Sequence, residues 1–428
     1  MNRTHYERLG EDLISDVLPN GLKIYVVPRP GFSRKLAYFV TDFGSIHQEF
    51  ELEGEKYCVP AGIAHYLEHK MFDLPGRDVT AELAGLGANV NAFTSYDMTA
   101  YYFSCTENFE KCLELLLEFV STPYFTEETV EKERGIIDQE IGMNMDAPES
   151  RIFEVLAEGM YRKHPIRMPI LGTSESIRAI TPELLHLCHR AFYVPSNMAL
   201  CVVGDVDPEA VAALAQRVLP GEYRQPGKKL RSWDEEMTCP EATRNMTMEV
   251  AMPTFQMGFK CPPADQGEAA IRREFIGDLA AETLFGEASE LYLRLYEQGV
   301  IDASFGGGFE TVDGCAMLTC GGDSDRPEEV RRAILEQAKK LAEQELDSAA
   351  FLRMKRSAMG RRVRDLDSFD STCFRICAYQ LAEFDYFEFP RIYESIREEE
   401  IRAFLAEVIT ESRCALCVIQ PILTGGKA

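Results

Sequence analysis

"ITPELLHLCHRAFYVPSNMALCVVGDV", residues 180–206, returns as "IREEEIRAFLAEVITESRCALCVIQPI", residues 396–422, at a constant offset of 216 and without a gap. Ala199-Leu200-Cys201-Val202 falls on Ala415-Leu416-Cys417-Val418. Each copy begins with apolar residues at helical spacing, passes a turn and ends in a short apolar run, which is the pattern of an amphipathic helix followed by a buried strand. A period this long is not that of a solenoid, whose units hold roughly 20–45 residues; it marks the duplication of a whole domain. With 428 residues, 46% of them hydrophobic, the chain is long enough for more than one core. "PGEYRQPGKKLRSWDEEM", residues 220–237, is rich in glycine, proline and charge and is the expected joint. The expected division is an N-terminal domain over 1–222, a linker over 223–240 and a homologous C-terminal domain over 241–428.

The histidines break this symmetry. All seven lie at or before His189, so chemistry that needs imidazole is confined to the first copy. Two of them sit in "AGIAHYLEHKMF", residues 61–72, where Ala61, Ile63, Ala64, Leu67 and Met71 predict a helix with Pro60 near its first turn. His65 and His69 are then one turn apart on one face, with Glu68 on the adjoining stripe. Two neutral imidazoles can fix a zinc ion, and a nearby carboxylate can take the proton of its water. HxxEH is the inverted form of the HExxH zinc motif. Two protein ligands are one short of a catalytic zinc set.

The third ligand is sought in "TEETVEKERGIIDQEIGMNMD", a helical pattern from about Thr126 to Met145 with Thr126 as its cap and Glu127 and Glu128 in its first turn. Glu133 and Glu140 are seven residues apart, almost two turns, and share a stripe; Glu131 and Asp138 form its neighbour.

With HxxEH followed by "ERGIIDQE", the chain resembles the insulinase/pitrilysin type of inverted-zincin metallopeptidase. The resemblance runs through "LPNGLKIYVVPRPG", "GANVNAFTSYDMTAYYF", "HPIRMPILGTSESI" and "FYVPSNMALCVVGDVDPEAV". Within the family it is most similar to YmfH-like bacterial members, on "GIAHYLEHK", "VEKERGIIDQEI" and "LYLRLYEQGVIDASF". The resemblance implies an α+β fold of two tandem homologous α/β-sandwich domains, antiparallel-rich sheets with helices packed on them, forming half of a clamshell. It implies Zn²⁺ held by His65, His69 and Glu140, with Glu133 behind the ligands and Glu68 activating the water. The activity implied is that of a zinc metalloendopeptidase acting on short or unfolded peptides enclosed in a chamber. "NVNAFTSYDMTAYYFSC" alternates and reads as a strand; in the family the matching strand is an exposed edge beside the zinc. Peptide docking is therefore carried onto Asn91, Ala92 and Phe93.

Active members also use an Arg and a Tyr about seven residues apart in a second-half domain. Here Arg294 is followed at that spacing by Ile301, and Ile301 to Ser304 hold no tyrosine. The expected assembly is a heterodimer with a sister subunit that lacks the zinc motif and supplies the pair, a homodimer being the alternative. The rival reading is a non-catalytic scaffold subunit of the same fold.

A net charge of −25 argues against a nucleic-acid partner and would draw in a basic one. "MNRTHYERLGEDLISDV" has no apolar segment of signal-peptide length, and no long uncharged apolar run follows, so a cytoplasmic protein without a membrane partner is expected. Thirteen cysteines scattered through runs such as "MALCVV" and "CALCVI" read as reduced core thiols, the Cys414–Cys417 pair included. His186, Cys188 and His189 share a helix with Leu184, Leu185 and Leu187 and read as packing.

Overall fold

A computed structural model describes residues 1–422 apart from Ser232 and Asp265. Ser232 of the expected linker, and Asp265 and residues 423–428 of the expected second domain, lie outside the described residues. The repeat is kept element for element. Helix Pro182–Phe192, a 3₁₀ turn at Pro195–Asn197 and strand Met198–Gly204 are matched by helix Glu398–Val408, a 3₁₀ turn at Glu411–Arg413 and strand Cys414–Pro421.

Each repeat strand lies inside a sheet with the same neighbours. The earlier sheet runs Asn2–Tyr6, Glu11–Val17, Lys23–Pro28, Met198–Gly204, Lys35–Thr41, Thr99–Cys105, Asn89–Thr94. The later runs Thr243–Met248, Cys414–Pro421, Thr254–Cys261, Cys315–Asp323, Gly306–Val312. The repeat strand is parallel to the neighbour on one side and antiparallel to that on the other in both sheets. Five strands therefore correspond one to one, and the hairpin Asn2–Val17 is an addition to the earlier sheet. Met198–Gly204 is buried at all seven positions, as a strand with neighbours on both edges and helices on its faces must be.

The described chain packs into two compact units, each drawn from separate stretches of sequence. One gathers Met1–Ile141, Pro169–Arg231 and Arg362–Phe387; the other gathers Gly142–Met168, Ser232–Arg361 and the chain from Glu388 onward. In the first, helix Phe369–Leu381 covers the earlier sheet against Met198–Gly204 and Lys35–Thr41, burying Cys373, Ile376 and Cys377. In the second, helix Pro148–Met160 covers the later sheet against Cys414–Pro421 and Thr254–Cys261, burying Ile152, Leu156 and Met160. Both helices have thirteen residues, and they are 221 positions apart. These two helices thus pack across the expected division at 223–240.

One sequence expectation needs correcting. Residues 89–105 do not form one strand: Asn89–Thr94 and Thr99–Cys105 are paired antiparallel around a turn. Ser95 N donates to Met98 O at 2.8 Å, and Ser95 Oγ donates to Asp97. Alternation is identical on the two arms of a hairpin, so the period could not reveal the turn. Asn89–Thr94 has a neighbour on one side and is the edge of its sheet.

Candidate metal centre

The histidine helix is Ile63–Met71, starting two residues after the alanine that opens the apolar pattern. Gly62, at φ 87°, turns the chain into it, and a Cβ there would strike the carbonyl of Leu171, so the position requires glycine. Ile63, Ala64, Tyr66, Leu67 and Met71 are buried, as their spacing predicts. The second helix is Glu127–Met145, capped by Thr126, whose Oγ accepts from Thr129 N at 3.2 Å. Its buried residues, Val130, Ile137 and Ile141, set its rotation about its own axis and bring Glu133 and Glu140 towards the histidines.

Two contacts fix the helices to each other. The Tyr66 hydroxyl donates to Val130 O, and Lys70 donates to Thr129 O at 3.2 Å and to the Asp73 carboxylate. Lys70, next to His69 in the chain, is wholly buried, a contact that sequence reasoning missed. Its signal was a lysine one turn after Tyr66, where the apolar stripe should continue.

His65, His69 and Glu140 present donor atoms that all lie within 4.8 Å of one another, the one such group of three among the described residues. Glu140 Oε2 is 3.7 Å from His65 Nε2 and 3.5 Å from His69 Nε2. A tetrahedral ion with bonds of about 2.0–2.1 Å places neighbouring donors about 3.3–3.4 Å apart, so Glu140 stands from each histidine at nearly the distance a shared zinc requires. His69 Nδ1 lies 2.9 Å from Glu133 Oε1, which leaves Nε2 free to face the same point as Glu140.

Electrostatics divide the two imidazoles. Burial, with His69 beside it, pushes His65 down to about 3, so it stays neutral as a ligand must. Burial also works against charge on His69, but the bond to Glu133 and the carboxylates of Glu68 and Glu140 prevail and raise it. Glu68 is only 8% exposed, and burial raises its affinity for a proton, opposed by the hydrogen bond from Thr94 and by His69. Thr94 Oγ1 donates to Glu68 Oε2 at 2.6 Å and was not foreseen; it extends the edge strand to the carboxylate.

The expected docking residues divide by strand alternation. Ala92 packs on the core beside the histidine helix, whereas the Phe93 ring lies 6.3 Å from Tyr102 and 6.0 Å from Phe374. Ala92 N donates to Asn91 Oδ1 at 2.9 Å. His186 lies against Phe125 and His189 stacks on Tyr193, in keeping with packing roles. Cys414 and Cys417 are buried in a strand. Helix Glu290–Glu297 carries Arg294, and Ile301 is buried. No helix among the described residues is long and apolar enough to cross a membrane.

Comparison with known proteins adds independent findings. Residues 56–174 match the family model described as Insulinase (Peptidase family M16), and residues 179–358 match that of the Peptidase M16 inactive domain. The uncharacterized zinc protease YmfH of Bacillus subtilis is 37% identical over 97% of this chain and 98% of its own. A crystal structure of a putative M16-like peptidase from Alicyclobacillus acidocaldarius has a TM-score of 0.91 at 33% identity, covering 96% of this chain and 99% of that one. A protease from Helicobacter pylori, at 19% identity, shares the fold with a TM-score of 0.82 over 96% of this chain and 99% of its own.

Proposed function

Because the chain belongs to the insulinase family of peptidases, M16, we propose that it is a zinc-dependent metalloendopeptidase of short or unfolded peptides. His65, His69 and Glu140 would hold the ion, and Glu133 holds His69 in the tautomer that faces it. Zinc, when bound, polarises a peptide carbonyl and acidifies water. Glu68 takes the proton of the attacking water and passes it to the leaving amine, a task that suits a carboxylate whose proton affinity burial has raised. Thr94 occupies Glu68 Oε2 and leaves the other oxygen for that transfer. The strand Asn89–Thr94, through the main chain at Asn91, Ala92 and Phe93, takes the peptide as an added strand, so the substrate must be extended.

The reading rests on the convergence of two imidazoles and a carboxylate, with a second, buried carboxylate bonded to the sheet edge beside them. Thirteen free thiols suit a cytoplasmic enzyme. A partner lacking the zinc motif completes the site with the Arg and Tyr that this chain lacks at the expected spacing. Alone, the chain should bind zinc and cleave a quenched peptide weakly; with the partner it should cleave it fast. Glu68→Gln should keep the zinc and lose about 10²–10⁴-fold in turnover. Zinc bound with no chelator-sensitive cleavage, even beside the partner, would support the scaffold reading and defeat this one.

A further inference from the structure

The correspondence between the two sheets extends to the helices around the metal cleft. Glu127–Met145 and Pro148–Met160 reappear as Ser348–Asp365 and Phe369–Leu381, both starting 221 residues later. The histidine helix ends at Met71 and its counterpart Glu268–Phe285 ends at Phe285, a shift of 214; each precedes the edge strand of its own sheet. Burial runs in parallel at these shifts. His65, Tyr66 and Leu67 are matched by buried Leu279, Ala280 and Ala281, half-buried His69 by half-buried Thr283, and buried Ile137 by buried Ala358.

In this register the "HYLEH" of the first copy is "LAAET", Leu279 to Thr283, in the second, and Glu133 and Glu140 become Met354 and Arg361. Contacts link the same two helices in each copy. Where His69 Nδ1 meets Glu133 at 2.9 Å, Thr283 Oγ1 meets Met354 Sδ at 3.3 Å. Arg361, at the position of Glu140, donates at 2.9 Å to Oε2 of Glu282, the counterpart of Glu68, in a pair that stays 46% and 38% exposed. Leu279, Glu282, Thr283, Met354 and Arg361 all belong to one compact unit.

We infer that this unit keeps the metal cleft with the cation built into the chain: the guanidinium of Arg361 takes the ion's place, and Glu282, the counterpart of Glu68, is its anion. The charge of the two helices supports this. Glu127–Met145 carries six acidic and two basic residues, whereas Ser348–Asp365 carries six basic and one acidic. The first cleft gathers the carboxylates of Glu68, Glu133 and Glu140, a charge that suits a multivalent cation, whereas the second retains one carboxylate beside one guanidinium. The second cleft is therefore independent of metal, and the chain takes up a single zinc.

The inference rests on the metal reading of the first cleft, and zinc stoichiometry tests the two separately. Zinc per folded chain, measured by elemental analysis after dialysis, should be one for the wild type and one for Leu279→His/Thr283→His, in which Arg361 still fills the position. It should be two for Leu279→His/Thr283→His/Arg361→Glu, with a second set of d–d bands when Co²⁺ is the probe. A folded triple variant with one equivalent, or a double variant with two, would overturn the inference. Zero in the wild type would overturn the metal reading and this inference with it. Should the triple variant not fold, the Glu282–Arg361 pair is tested in chelator-treated protein. Arg361→Glu, which sets a second carboxylate against Glu282, should lower Tm by about 1–2 °C, and Glu282→Arg/Arg361→Glu should regain most of it; purely additive losses would overturn the assignment.

Discussion

Replacing Glu133 by glutamine changes one charge behind His69 and little else. Glu133 Oε1 accepts from His69 Nδ1 at 2.9 Å, and both side chains are largely screened from water, at 16% and 24% exposure. A hydrogen bond to a charged acceptor contributes about 1.5–3 kcal/mol net, against about 0.5–1.5 for a neutral one. Glutamine can still accept from Nδ1, so the loss is the difference, about 1–1.5 kcal/mol, or close to tenfold in an equilibrium constant. On the proposed reading it falls on zinc affinity, because the carboxylate would make Nε2 of His69 a better donor and hold the ring on the ion. Glu133→Ala, which also removes the acceptor, should approach 100-fold. The assay is competition with a chromophoric chelator near neutral pH, with circular dichroism to verify folding. A folded Glu133→Gln chain that binds zinc as tightly as the wild type would show that Glu133 does not support His69.

Zinc removal should cost stability as well as activity: with free zinc at about 1,000 times its dissociation constant the ion contributes about 4 kcal/mol, so a chelator should lower Tm markedly in differential scanning calorimetry. His189 is buried against Tyr193, and burial, with a smaller contribution from His186, depresses it to about 4 despite its bond to the Val120 carbonyl. Its native form is neutral, so below about pH 6.5 the unfolded chain takes a proton that the folded one refuses. Stability should fall by on the order of 1 kcal/mol per pH unit from about 6.5 towards 4, and chelator-treated His189→Gln should show a shallower fall in urea titrations. Glu235, 6% exposed in its side chain, accepts from the main-chain N–H groups of Arg162, Lys163 and His164 and pairs at 3.2 Å with Lys260, which is wholly buried. Glu235→Ala should cost about 3–5 kcal/mol by leaving that ammonium without a counter-charge, whereas Glu235→Gln/Lys260→Met should cost less; an equal loss would mean that the amide contacts, not the charge pair, carry the stability.

The sequence alone determined that there are two homologous α/β copies, that imidazole chemistry belongs to the first, and that His65, Glu68, His69, Glu133 and Glu140 are its candidates. Those conclusions depend on periodicity, and helical phase is a local property: i, i+4 for the histidines and i, i+7 for the glutamates place side chains on a face without reference to the rest of the molecule. Tertiary structure decided what phase cannot carry. Which helix covers which sheet was settled by packing, because Pro148–Met160 and Phe369–Leu381 present similar apolar faces and nothing local says that each covers the sheet of the other copy. Lys70 and Thr94 acquired their roles from partners 59 and 26 residues away. The likeness of Leu279-to-Thr283 to the zinc motif is invisible in the letters, since only the glutamate survives. It emerges when two helices are aligned by where they end and what they bury, because selection on a packed surface preserves burial after the ligands have gone.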